Sequence, residues 1–65
     1  MNLEDMREGL LKYLDTNMIT HTILAGRIEI STLTLRAFLA DTKKINELTT
    51  RKIAKFLKEN GLYAE

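Results

Sequence analysis

The chain has 65 residues, of which 45% are hydrophobic and 29% charged, and it contains three glycines and no proline. This composition is typical of one small folded domain, so we expect a single domain rather than two. The absence of cysteine excludes a disulfide framework and a thiolate zinc site, which favours a reducing, cytoplasmic setting. No stretch approaches the ~20 apolar residues of a membrane span, and no signal peptide is evident, so we expect a soluble, unprocessed chain with no membrane partner.

The net charge of +1 conceals an uneven distribution of charge along the chain. Residues 1–20 carry two basic and four acidic side chains, whereas residues 21–58 carry eight basic and three acidic ones. The remaining two acidic residues, Glu59 and Glu65, lie in the tail. Such a distribution can direct a positive face at a polyanion, although exposed helix faces are commonly charged in any case.

The first predicted helix covers about residues 2–16. Asn2 is a good N-cap, with Asp5 three residues later. Apolar residues recur at spacings of three and four, at Leu3, Met6, Leu10, Tyr13 and Leu14. Gly9 either lowers the helix propensity here or permits the close approach of a neighbouring helix. The polar stretch 15–17 is expected to end the helix.

Three further helices are predicted, over about residues 20–28, 31–40 and 46–60. Their N-caps are Thr20, then Ser31 or Thr32, then Asn46. The third has an apolar stripe at Leu35, Phe38 and Leu39, and the fourth is expected to turn Leu48, Ile53, Phe56 and Leu57 inward. Gly61 after Asn60 suits a left-handed helix stop. The predicted fold class is all-α, a compact bundle of four or five short helices within one domain spanning residues 1–65.

Catalysis and cofactor binding are not expected from this sequence. The chain has one histidine, His21, one serine, Ser31, and no cysteine, in a domain too small for a deep pocket. Its glycines match neither a dinucleotide-binding fingerprint nor a phosphate-binding loop. The carboxylates of the first helical turn are explained by the helix dipole, so no metal site is expected. The prediction is a protein that is not an enzyme and has no cofactor.

The segment from His21 to Ala40 has apolar residues at positions 24, 28, 30, 35 and 38 and a small one at Ala25. In this it resembles the twenty-residue helix-turn-helix of lambda-repressor-like proteins, the phage Cro and repressor family. Residues 43–57 resemble the family's basic connection and next helix, and the likeness covers residues 2–60. Glu29 departs from the pattern, because it lies in the turn where the family prefers glycine. A side chain there costs on the order of 1 kcal/mol, so we expect a distorted or slightly longer turn.

The resemblance implies a Cro-like regulator of transcription, a repressor of phage or prophage origin that occupies an operator in a bacterial cytoplasm. Its third helix would enter the major groove, with Arg36 on a guanine edge and Leu33 and Ala37 near thymine methyl groups. The residues expected to contact double-stranded DNA are Thr20, His21, Thr32, Leu33, Thr34, Arg36, Ala37, Lys43 and Lys44, with Ala40 on the same side. Of these, Thr20, His21, Lys43 and Lys44 would lie near phosphates.

Several alternatives remain open at the level of sequence. His21 is either a phosphate contact or a solvated surface residue. The basic stripe Arg51, Lys55 and Lys58, with Lys52 beside it, is better explained as the solvated outer face of the fourth helix than as a DNA contact. Family members bind DNA as dimers, so a homodimer is expected, with Leu62 and Tyr63 either meeting a second copy or packing on the first helix. In the alternative function, the helix-turn-helix-shaped module docks on a partner repressor as an antirepressor or modulator. Leu33, Ala37 and Ala40 favour that protein contact, whereas Arg36, Lys43 and Lys44 favour DNA.

Overall fold

The structure is a computed structural model that describes residues 2–43 and 45–62. It contains four helices, α1 (Leu3–Asn17), α2 (His21–Ile28), α3 (Thr32–Ala40) and α4 (Glu47–Glu59), and no strand among the described residues. The predicted all-α bundle is confirmed. Each predicted helix lies within about one residue of its observed bounds.

A polar side chain caps the start of every helix, as the sequence predicts. Asn2 accepts the backbone N–H of Asp5 at 2.8 Å, and Thr20 accepts that of Ile23 at 3.2 Å. Ser31, rather than Thr32, caps α3 by accepting the N–H of Thr34, and Asn46 caps α4 in the same way. Each cap satisfies one of the backbone donors that a helix start leaves without an intrahelical partner.

Three helices are followed by a left-handed residue, Met18 after α1, Glu29 after α2 and Gly61 after α4, and the last two have the hydrogen bonds of a Schellman motif. At the end of α4, Gly61 has φ +69°, and the next residue, Leu62, donates its N–H to the Leu57 carbonyl at 2.8 Å. This is the stop that the sequence predicts. At the end of α2 the same conformation falls on Glu29, with φ 69° and ψ 44°. A side chain therefore occupies a position where glycine is free of strain.

The core lies where the four helices meet. The largest fully buried side chains are Leu10 of α1, Leu24 of α2, Leu35 and Phe38 of α3, and Ile53 and Leu57 of α4. Gly9 allows α1 to approach α4 closely, because a Cβ at this position would lie 3.0 Å from Cδ2 of Leu57. The close-approach explanation of Gly9 is thus the one that the structure supports.

One predicted core residue is wrong. Leu48 is 62% exposed, and Thr49 is buried in its place. At about 100° of rotation per residue, Thr49 lies between Ile53 and Phe56 on the helix surface, whereas Leu48 lies well outside that sector. At the start of α4, the buried residue is therefore Thr49, one residue after the leucine that the sequence pattern assigned to the core.

The tail contributes Leu62 to the packing. Its side chain is half-buried against the core, and its carbonyl lies 3.7 Å from the position of a Cβ at Gly9, so it packs back toward α1. The predicted role of Tyr63 lies outside the described residues. Among the described residues, no helix is both long enough and apolar enough to cross a membrane.

Candidate nucleic-acid interface

The interface is built on the pair of helices α2 and α3. Leu24, Ala25 and Ile28 are buried on α2, and Leu35 and Phe38 on α3. Ile30, between the helices, is half-buried against the same core. The positions that the sequence pattern marked as apolar or small are therefore the ones that hold the two helices together. One face of α3 is committed to the core, and the opposite face is left to solvent.

The turn between α2 and α3 consists of three residues, 29–31. Glu29 donates its N–H to the Gly26 carbonyl at 3.3 Å, and Ile30 donates to the Ala25 carbonyl at 3.0 Å. These are regular Schellman bonds, so the non-glycine residue is accommodated by backbone strain at Glu29. From α4, Lys52 donates from Nζ to the Glu29 carbonyl at 2.9 Å. No sequence pattern predicts this contact, because 23 residues separate the two.

The outer face of α3 presents Leu33, Arg36 and Ala40, all exposed. Leu33 is 79% exposed, which is unusual for a large apolar side chain. Thr32 and Ala37 flank this face and are half-buried. The structure thus brings the predicted readers together on one side of a regular helix, with Arg36 as its charged group.

Thr34, also predicted as a DNA contact, is half-buried and engaged locally. Its backbone N–H bonds to the Ser31 hydroxyl at 3.0 Å, and its own hydroxyl accepts from Ser31 at 2.7 Å. These two bonds fix the start of α3. In this arrangement Thr34 contributes more to the cap than to the exposed face.

The start of α2 lies at the other edge of the candidate interface. Thr20 is exposed, with its hydroxyl accepting the Ile23 N–H, and His21 is half-buried. The early amides of a helix and its positive dipole end favour an anion such as phosphate. Thr20 and His21 are therefore placed where a phosphate contact is chemically reasonable.

The connection from α3 to α4 contains the two predicted basic contacts, Lys43 and Lys44. Lys43 is exposed, and its backbone N–H is held by the Asp41 carboxylate at 3.0 Å. Lys44 lies outside the described residues. The side chain of Lys43 is thus available beside the end of α3, while its own backbone N–H is held by Asp41.

Three of the basic side chains in residues 21–58 are engaged within the protein. Arg27 donates to the Tyr13 hydroxyl at 2.7 Å, Lys52 to the Glu29 carbonyl, and Arg51 pairs with Glu47 at 2.8 Å. Arg36, Lys43, Lys55 and Lys58 form no side-chain hydrogen bond or ion pair with other described residues. Arg51 is neutralised by Glu47, whereas Arg27 and Lys52 keep their charge but are held by neutral acceptors, so fewer basic side chains are free to reach a ligand than the sequence suggests.

A contact that sequence reasoning missed joins α1 to the end of α3. Arg7 pairs with Glu4 at 2.8 Å and donates from Nη1 to the Leu39 carbonyl at 3.4 Å. Thr42, which is buried, donates to the other oxygen of Glu4 at 3.4 Å. A cation near the last carbonyls of a helix is favoured by the dipole. The C-terminal end of α3 is thus held by Arg7 of α1. The turn that precedes α3 is held by Lys52 of α4.

The acidic side chains and His21 form no metal-ligand cluster among residues 2–43 and 45–62. No three His, Asp or Glu side chains come together there as a ligand set. An open cleft of about 200 Å³ lies between α2 and α4. Its lining consists of Arg27, Ile28, Glu29, Lys52, Lys55, Phe56 and Glu59.

Comparison with known proteins adds no assignment to this geometry. No protein-family model matches the chain, and searches of curated proteins and of solved structures gave no significant match.

Proposed function

We propose that the protein binds double-stranded DNA through α3 and acts as a Cro-like regulator of transcription, without catalysis or a cofactor. It would occupy an operator as a homodimer and block transcription of phage or prophage genes. The proposal rests on the way in which α3 has one face in the core and the opposite face in solvent. Leu35 and Phe38 are fully buried, while Arg36, Leu33 and Ala40 of the same helix face solvent.

A helix that recognises DNA bases needs one face that packs on the protein and one face that is free to enter the groove. The major groove is about 12 Å wide and admits one α-helix, whose outward side chains reach the base edges. An arginine can donate two hydrogen bonds to the O6 and N7 of guanine. Thr20 and His21 at the start of α2, and Lys43 after α3, would contact phosphates on either side of the groove. Lys44 is assigned the same role from its position in the sequence.

The first test is binding to random duplex DNA, measured by fluorescence anisotropy across a salt series. We expect affinity to fall steeply as salt rises, because phosphate contacts release counterions. Lys43→Ala should reduce the slope of log K against log salt by about one unit. Lys12→Ala, the same change on the exposed side of α1, is the matched control and should leave the slope unchanged. Absent or salt-independent binding would count against DNA.

The second test concerns base readout on an operator selected from a random DNA pool. Arg36→Ala should weaken binding to the selected operator by about 1–3 kcal/mol, with a smaller effect on random duplex. If Leu33 contacts a thymine methyl group, replacing that thymine with uracil should weaken the wild type. The Leu33→Ala variant should be insensitive to the replacement. Equal sensitivity of both proteins would remove Leu33 from the readers.

One observation favours a second candidate function, docking on a partner repressor as an antirepressor or modulator. Leu33 is 79% exposed, and its neighbours on the outer face, Ala37 and Ala40, are small and apolar. A face with few polar groups also suits a protein contact, in which a leucine anchor fills a pocket. In this case Leu33→Asp would abolish binding to the repressor. Lys43→Ala would have little effect on it, and duplex DNA would not bind.

A further inference from the structure

Lys52 differs from the other basic residues of α4 in what its side chain reaches. It is half-buried, and its ammonium lies 2.9 Å from the Glu29 carbonyl in the turn between α2 and α3. Lys55 and Lys58, on the same helix, are exposed and form no hydrogen bond or ion pair with other described residues. The sequence groups Lys52 with a basic stripe, whereas the structure directs it into the helix-turn-helix.

The bond falls at a strained backbone position. Glu29 has φ 69°, a left-handed conformation that costs a residue with a side chain on the order of 1 kcal/mol. Its carbonyl follows the end of α2, where the helix dipole is negative, so an ammonium group there is favoured electrostatically. A charge-assisted hydrogen bond is also stronger than a neutral one.

The end of α2 is held from α1 as well. Arg27 donates to the Tyr13 hydroxyl at 2.7 Å, and the Tyr13 ring packs edge-on against Phe56 of α4, with ring centroids 5.0 Å apart. The turn therefore starts from an anchored helix end. Lys52 then fixes the point from which the chain departs into α3.

We infer that Lys52 is a positioning residue for α3: by holding the Glu29 carbonyl it sets the orientation in which the outer face of α3 meets its ligand. The inference rests on the proposed DNA-binding function for its consequence, and it separates Lys52 from the phosphate contacts. Loss of the ammonium group then weakens binding to a matched operator, which requires the correct approach of α3. Binding to random duplex, which depends on phosphate contacts, is unchanged.

The test compares three variants that remain folded by circular dichroism. Lys52→Met keeps the apolar stem and removes the donor, Lys52→Arg keeps a donor, and Lys55→Met makes the same chemical change at an exposed position. We expect Lys52→Met to weaken binding to the selected operator about tenfold, in line with the loss of a charge-assisted bond, with an unaltered salt slope on random duplex. Lys52→Arg should restore operator binding, and Lys55→Met should not reduce the ratio of operator to random affinity.

Amide hydrogen exchange provides a readout that does not depend on DNA. Ile30 donates its N–H within the turn, to the Ala25 carbonyl. Its exchange should accelerate in Lys52→Met and not in Lys55→Met, with α1 amides unaffected. A loss of about one unit of salt slope, unchanged operator affinity, or equal acceleration at all amides would each overturn the inference. If the wild type binds no duplex, the proposed function fails, and local exchange at Ile30 alone decides whether Lys52 holds the turn.

Discussion

Replacing Glu29 with glycine should stabilise the protein. Glu29 adopts φ 69° and ψ 44°, and a left-handed residue with a Cβ costs roughly 1–2 kcal/mol. The hydrogen bonds of the turn all involve the main chain of this residue or its neighbours, so they survive the change. The Glu29 side chain itself forms no hydrogen bond or ion pair with other described residues.

The expected gain is the relief of strain less the extra freedom that glycine gives the unfolded chain. That freedom costs about 0.4–1 kcal/mol, which leaves a net stabilisation of about 1 kcal/mol. For a domain of this size, the corresponding rise in Tm is roughly 4–8 °C. Urea unfolding followed by circular dichroism at 222 nm, together with a thermal melt, measures both quantities.

Two comparison variants make this prediction sharp. Glu8→Gly makes the same chemical change in the middle of α1, at an exposed helical site, and should destabilise by up to about 1 kcal/mol. Gly61→Ala introduces a Cβ at φ +69° and should lose about 1 kcal/mol for the same reason that Glu29→Gly gains it. A Glu29→Gly variant that is neutral or less stable than the wild type would refute the argument from strain.

Two further predictions concern packing and capping, and both are measured by urea unfolding. Gly9→Val places a branched side chain where even a Cβ lies 3.0 Å from Leu57 and should cost about 1–3 kcal/mol, whereas Gly26→Ala, with nothing within 4 Å of its Cβ, should stabilise by up to about 1 kcal/mol. Equal effects at the two glycines would contradict the close-approach explanation. Ser31→Ala removes the cap from the Thr34 amide and should cost about 0.5–2 kcal/mol, with Ser31→Asp retaining most of the stability; a silent Ser31→Ala would show that the cap contributes nothing.

The fold was largely predictable because its signals are local. Each N-cap lies three residues from the amide that it accepts, and the apolar spacing within one helix identifies its buried face. The error at Leu48 has a physical cause. Position on the helix decided burial here and hydrophobicity did not, because Thr49 lies in the sector of Ile53 and Phe56 and Leu48 lies outside it.

The candidate interface was predictable only in part. The positions on the outer face of α3 follow from the helical period once Leu35 and Phe38 are assigned to the core. The contacts of Lys52 with Glu29 and of Arg7 with Leu39 span 23 and 32 residues, and no sequence pattern encodes them. The sequence shows an excess of basic residues, but only the structure shows which of them are free and which form bonds within the protein.

The local caps described above also bear on how fast the chain folds. All four helix starts are fixed by side chains only three residues away. Little loop-closure entropy is therefore spent before stabilising contacts form, and small helical domains with mostly short-range contacts fold in microseconds to milliseconds. A newly synthesised copy would accordingly reach its native shape soon after release from the ribosome, with little time for the leucines of its core to be exposed and nucleate aggregates.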